Sequence, residues 1–400
     1  MTVRLSTSMI FQNSMRTMMD SQRELDRAQQ QMTTGKRLLS AADDPAASSA
    51  VFQLREARQQ MEQYQLNATA AKSQAGYQES VYGDINNILQ RVRDLSLQGR
   101  SDTTNQGDRI IIAKEIEGLR DSLIGLANST DVNGDYMFSG NKSSTIPFVE
   151  NGSVMSYQGD EGVRELKIGA NRLVAVNDSG KDVFMKIPTG NGVIAATGSA
   201  TNTGTGMIDL GNEVAGFVND TYTIQFTAAS PSTYEVYDSS SALIAGPTPF
   251  SNGDSLSFAG INVSISGEPN VGDTFTVEPS GQSDIFSSLQ RLVDIFNTTG
   301  DDPASSAYRQ NEVSRAFSGL DNAMESIGVL RSQSGSRLNA IEQQKTVNDN
   351  LIYQGTVSIS QLEDVDMVEA VMAFQMQLQA LQASQQSFSL VQRQSLFDFL

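Results

Sequence analysis

Apolar side chains recur at steps of three and four along both ends of this chain. Near the N-terminus the series runs Phe11, Met15, Met18, Gln22, Leu25, Gln29 and Met32. Near the C-terminus it runs Val371, Phe374, Leu378, Leu381, Phe388 and Val391. Such steps put the residues on one side of a helix, where they are buried only against a partner. A stripe at each end therefore constrains the chain to pair its two ends.

The spacing continues inward. Ala50, Leu54, Ala57, Met61, Tyr64, Ala68, Ala71 and Ala75 form one stripe, and Ile85, Ile88, Val92 and Leu95 carry it on. Ile112, Ile116, Leu119, Leu123 and Leu126 form another. The run from Pro45 to Gly99 would extend roughly 80 Å as one unbroken helix. On the C-terminal side, Ile285, Leu289, Leu292 and Phe296 mark a short helix. Val313, Phe317, Leu320, Met324 and Ile327 open a longer one that Leu338 and Ile341 continue.

Between these arms the composition changes. Residues 141–283 hold seven of the nine prolines, 18 of the 32 glycines, and 15 Asp/Glu against 6 Lys/Arg. "YTIQFT", "INVSIS" and "DTFTVEP" alternate apolar and polar residues, the mark of half-buried antiparallel strands bounded by turns. The tract Ala196–Gly206, "ATGSATNTGTG", reads as an exposed loop. The expected fold is α+β, with N- and C-terminal helices paired in a coiled-coil or helical-bundle rod and an inserted antiparallel β domain. Residues 1–44 and 358–400 make a terminal helical assembly domain, 45–145 and 284–357 a helical rod, and 146–283 the solvent-exposed insertion.

The 400 residues include no histidine, cysteine or tryptophan. The usual neutral-pH general base, the thiol nucleophile and the best transition-metal ligands are thereby missing. No catalytic, cofactor-binding or metal site is expected. A net charge of −18 without a large basic block argues against a nucleic-acid partner. The first residues lack the apolar core and small-residue cleavage site of a secretory signal peptide. No apolar run reaches the roughly 20 residues of a membrane span, so membrane insertion is not expected.

The stretch "TTGKRLLSAADDPAASSA", Thr33–Ala50, offers a Gly-Lys pair and two adjacent carboxylates. A phosphate loop wants glycine five residues before that pair and Ser or Thr after the lysine. Gln30 and Arg37 stand there instead. A helix start explains the rest, since an Asp accepts from the first free N–H groups and proline suits the first helical position. "DDPAASSA" at 43–50 is echoed by "DDPASSA" at 301–307, giving Asp43, Asp44, Pro45, Asp301, Asp302 and Pro303 as helix-start residues. "DVNGDYMFSGNK", Asp131–Lys142, lacks the glycine at position six and glutamate at twelve of a helix–loop–helix calcium loop, so it reads as a turn into the insertion.

From Ala370 to Gln392 no residue is charged, although an exposed helix normally carries solvating charge on its outer face. Seven glutamines and three serines make it too polar for a membrane core. It reads as a helix with protein on both sides, the N-terminal helix on one and neighbouring subunits on the other.

These residues resemble a known family. "MTTGKRLLSAADDPAASSA", "LANSTDVNGDYMFSGNKSSTIPF", "GSRLNAIE", "ISQLEDVDMVEAVMAFQ" and the ending "SLFDFL" are similar, in order and spacing, to passages of the flagellin superfamily, in particular its hook–filament junction branch. The resemblance covers both arms, with a weaker echo in "SGEPNVGDTFTVEP". It implies a structural adaptor of the bacterial flagellum that joins the hook, through hook-associated protein 1, to the flagellin filament and templates its growth. It further implies self-association as a ring or helical layer, a cytosolic flagellar export chaperone as partner, and type III export to the flagellar exterior without a cleaved signal peptide. The helix stripes give the expected assembly interface as Phe11, Met15, Met18, Leu25, Met32, Val371, Phe374, Leu378, Leu381, Phe388, Val391, Phe399 and Leu400.

Three other readings compete. The chain could be the flagellin filament subunit itself, although "YMFSGNK" and "SLFDFL" favour the junction branch. The insertion could carry glycosidase carboxylates, but no Asp/Glu pair stands out from surface acids. It could bind glycans through Tyr222, Tyr234 and Tyr237, although tyrosines at alternate strand positions more often pack a sheet.

Overall fold

A computed structural model describes residues 7–101, 103–152, 154–298 and 300–393. The chain opens with α1 (Thr7–Thr34), α2 (Pro45–Arg100) and α3 (Gln106–Ala127). Two hairpins follow, β1 (Phe148–Asn151) with β2 (Val154–Tyr157) and β3 (Glu165–Gly169) with β4 (Arg172–Ala175), and then the short helix α4 (Gly180–Phe184). Next come β5 (Ile187–Pro188), β6 (Ile194–Gly198), β7 (Met207–Ile208), β8 (Asn212–Glu213), β9 (Tyr222–Ala229) and β10 (Ser232–Tyr237). The last strands are β11 (Leu243–Pro249), β12 (Ser255–Phe258), β13 (Ile261–Ser266), β14 (Thr274–Pro279) and β15 (Gln282–Ser283). Three helices close the chain: α5 (Ile285–Thr298), α6 (Pro303–Glu363) and α7 (Met367–Arg393).

Two compact units result, Met1–Leu66 with Gln344–Leu400 and Asn67–Gln343. In the second unit, α3 and α5 pack on the later part of α2 and the earlier part of α6. Leu89, Val92, Ile116, Leu123, Leu289, Phe296 and Leu320 are all buried there. The period-3.6 stripes expected for 85–95, 112–126, 285–296 and 313–327 supply this core. At the end facing the strands, Phe148, Phe184 and Phe286 lie with ring centroids 5.2–5.6 Å apart. Such rings contribute about 1 kcal/mol per pair beyond the area they bury.

The insertion is antiparallel throughout. One sheet has the order β11-β10-β9-β14-β6, and the other has β12-β13-β7, with β8 also pairing β13. Tyr222, Ile224 and Phe226 of β9, Phe275 and Val277 of β14, and Ile261, Val263 and Ile265 of β13 enter one core, as their alternation requires. Edge strand β11 carries Pro247 and Pro249. The Phe250 N–H donates inward to Ser232 O, so alternation turns Pro249 outward, where no N–H is offered to another strand, and Pro247 falls in the irregularity between the Tyr234–Thr248 and Val236–Ala245 pairs.

The tract Ala196–Gly206 departs from the expected exposed loop. Its first three residues end β6, and Asp273, itself buried, accepts the Thr203 and Gly204 N–H groups at 2.8 and 3.0 Å. A Cβ on Gly204 would sit 2.5 Å from Asn270 N and Glu268 O. Here glycine marks close backbone packing, which composition does not distinguish from an open loop.

Two asparagines on α6 fix the insertion to the helices. Asn311 accepts from Ile208 N–H at 3.0 Å and donates to Gly206 O at 3.1 Å. Asn322 donates to Pro188 O and Gly190 O at 2.8 and 3.0 Å. Eleven residues are close to three helical turns, so both side chains leave α6 on the same face.

Candidate assembly surface

In the first unit α1 pairs with α7. Met15, Met18, Leu25 and Met32 are half-buried on α1, and Phe374, Leu381 and Phe388 are half-buried on α7 at seven-residue intervals. The Phe11 and Phe388 rings approach to 5.2 Å. Gln22 and Gln29 point to solvent, and Ser21 and Ala28 take the seam instead. Small side chains let the two backbones approach, whereas buried glutamines would need amide partners. Ala370 and Ser384 play the same part on α7, and the stripe of large residues gave no sign of them.

Val371 and Leu378 do not face α1. They are exposed, together with Val368, Met372 and Met376, of which Met376 is 65% and Val368 69% exposed. The α7 helix thus carries one apolar seam against α1 and a second apolar flank facing outward. The Val391 side chain, and Phe399 and Leu400 entirely, lie outside the described residues. Between the pair, a cleft of about 650 Å³ is lined by Gln12, Arg16 and Thr17 of α1 and Ala380, Ala383 and Ser384 of α7.

The two "DDP" sequences each use one carboxylate as a cap. Asp44 accepts the Ala47 N–H and Asp302 the Ser305 N–H, both at 3.0 Å, with Pro45 and Pro303 as first helical residues. Asp43 and Asp301 lie one residue too early to reach those groups. Asp43 closes the preceding loop, accepting Leu39 N–H at 3.0 Å, Ser40 N–H at 2.9 Å and the Arg27 guanidinium at 2.9 Å. The Ser40 N–H above all holds its carboxyl below the usual range, against the effect of desolvation. Asp301 pairs with the buried Arg109 of α3.

The Gly-Lys pair has a role that its motif did not reveal. The buried Glu363, at the end of α6, accepts Lys36 Nζ at 2.6 Å and the Arg55 guanidinium at 2.6 Å. The Arg37 N–H donates to Glu363 O and the Arg37 guanidinium to Leu362 O, each at 2.7 Å, while Val365 N–H donates to Gly35 O at 3.0 Å. The links α1–α2 and α6–α7 are thus stitched to each other. The available signal was the acid pair in "QLEDVD", shortly before the uncharged run that begins at Ala370.

"DVNGDYMFSGNK" forms a turn in which Asp131 Oδ1 accepts the N–H groups of Asn133 and Asp135 at 2.8 and 3.1 Å. Tyr222 and Tyr234 are buried in the insertion core, which leaves only Tyr237 of the three half-exposed. Among the described residues, no cluster of three or more acidic groups could hold a metal ion, and no helix is long and apolar enough to cross a membrane.

Residues 5–143 match the family model of the bacterial flagellin N-terminal helical region. Flagellar hook-associated protein 3 of Escherichia coli (strain K12) is 27% identical over 396 residues, 99% of each chain. The crystal structure of FlgL from Xanthomonas campestris is 30% identical and superimposes with a TM-score of 0.73, over 77% of this chain and 99% of its own. That of the flagellar junction protein FlgL from Legionella pneumophila is 31% identical with a TM-score of 0.71, over 79% and 100%. With such relatives the chain is a structural flagellar protein and not an enzyme. Sequence similarity along its length and the shared helical and β architecture agree: the chain belongs to the flagellar hook-associated protein 3 family.

Proposed function

We propose that this chain is the adaptor between hook and filament, seated on hook-associated protein 1 and offering flagellin the surface on which the filament starts. The observation that carries this reading is the outward apolar flank of α7, Val368, Val371, Met372, Met376 and Leu378, on a helix already paired with α1. Monomers rarely leave such a row to water, and a charge-depleted, Met-rich patch suits protein contact. The terminal regions 1–44 and 358–400 then make the contacts between subunits, in a ring or helical layer. The helices of 45–145 and 284–357 form the surrounding shell, and the insertion 146–283 faces solvent.

On this reading the chain leaves the cell through the flagellar type III channel without a cleaved signal peptide, after a cytosolic export chaperone has held its C-terminal segment. The interface comprises Phe11, Met15, Met18, Leu25, Met32, Phe374, Leu381 and Phe388 within the pair, and Val371 and Leu378 beyond it. Val391, Phe399 and Leu400 extend the series past the described side chains. A second role for the insertion as a glycan platform loses support, because Tyr222 and Tyr234 are spent on its core.

The test is sequential addition in vitro. Purified chain is added to hooks capped with hook-associated protein 1, followed by flagellin, and growth is followed by electron microscopy. The reading expects a short layer of this chain and filaments only after flagellin is added. Long filaments from this chain alone would identify it as a filament subunit instead.

A further inference from the structure

Where the insertion's first and last strands enter the helical core, β5 and β15 pair as a short ribbon beside α5 and α6. A small cavity of about 20 Å³ lies there, lined by Thr189, Ser283, Ser288, Arg291 and Arg315. Arg291 belongs to α5 and Arg315 to α6, and both are half-buried. Among the described residues neither guanidinium has a carboxylate within ion-pair distance or a hydrogen-bond partner. Several arginines elsewhere in this unit do have a carboxylate: Arg109 pairs with Asp301, Arg120 with Glu150, Arg331 with Glu79 and Arg337 with Asp178.

Two guanidiniums lining one small cavity repel each other and are partly stripped of water. Burial first, and the Arg291 charge next, work against the Arg315 cation; Glu312 and Glu278 favour it only through space, from beyond contact. The Ser283 and Ser288 hydroxyls donate to Asp284 O, and Thr189 Oγ1 accepts the Gly281 N–H, which leaves the Thr189 proton uncommitted. The lining residues with donors to spare are therefore the two arginines, on the order of five N–H groups each, and Thr189. The space admits a single water-sized particle.

We propose that Arg291 and Arg315 form a binding site for one chloride-sized anion, which ties α5 and α6 to the base of the insertion. An anion there neutralises the repulsion and accepts from donors on three elements at once. It reinforces the clasp that Asn322 makes on Pro188 O and Gly190 O. The site adds rigidity where the insertion meets the helices, independently of what the terminal helices contact.

The experiment uses the full chain in sodium chloride and in sodium gluconate at equal ionic strength. Amide hydrogen exchange is followed at 187–190 and 282–284. Chloride at twice its dissociation constant is expected to slow exchange there about threefold, and further as its concentration rises, by simple linkage. The R315Q and R291Q variants, made separately in case one fails to fold, are expected to lose that difference. Crystals grown in sodium bromide are expected to show an anomalous peak between the two guanidiniums. Equal exchange in both salts, a chloride effect that survives in the variants, or no bromide peak would each overturn the site.

Discussion

Lys36 and Glu363 are 327 residues apart in the chain and meet at 2.6 Å. With Arg55 on the same carboxylate, this contact holds the two chain links of the terminal unit together. Burial raises the Glu363 pKa, but the hydrogen bonds from Lys36 and Arg55 outweigh it and leave the pKa lowered. A depressed carboxylate stabilises the fold at pH above its unfolded value, and that stability is lost as pH falls through the folded value. E363Q is expected to cost about 1–3 kcal/mol, as for a hydrogen-bonded charged group. Faster hydrogen exchange at 35–40 at neutral pH is the readout, and wild type should approach the variant on acidification.

A second network lies in the other unit. Asp178 accepts from Gln78 Nε2 at 2.9 Å, Tyr82 OH at 2.8 Å and the Arg337 guanidinium at 2.6 Å. R337M strips the carboxylate of its cation and is expected to cost about 3 kcal/mol, measured by urea unfolding.

Tyr82 gives that network an alkaline signature. Burial, then the Asp178 charge, push its phenol well above 10.0. The unfolded chain therefore loses this proton first, so stability is full below the ordinary tyrosine pKa and falls as pH rises past it. Y82F is expected to remove that part of the alkaline loss, seen as a flatter Tm-against-pH curve above pH ~10.

Helix α2 allows no side chain at Gly99. A Cβ there would stand 2.6 Å from the buried Phe296 ring. G99A gains helix propensity yet overfills the core, and a net loss of about 1–3 kcal/mol is expected in the same unfolding assay. Unchanged stability would mean that the α2–α5 contact is looser than described.

The helix starts separate two neighbouring carboxylates. D44A removes the cap on Ala47 N–H and is expected to cost about 1 kcal/mol, with faster exchange in the first turn of α2. D43A is expected to act instead on the 39–40 amides, whose acceptor it removes.

Periodicity made the helices and the β9, β13 and β14 strands legible, because burial of a helix or strand face leaves a period in the sequence. Two kinds of contact leave none. Ser21, Ala28, Ala370 and Ser384 line the α1/α7 seam through smallness, which an apolar stripe does not record. Glu363, Asp178, Asn311 and Asn322 act on partners far away in sequence, and a single polar residue on a helix or in a loop looks the same whether solvated or bonded. The outward flank of α7 was visible in part, as the missing charge from Ala370 to Gln392. Which residues faced α1 and which faced out required the structure.

The central claim is that the filament starts on this chain, and a clean deletion tests it most directly, with flagellin quantified on cells and in the medium. The account predicts hooks without filaments and abundant unpolymerised flagellin released into the medium. Normal filaments on cells that lack the chain would contradict it.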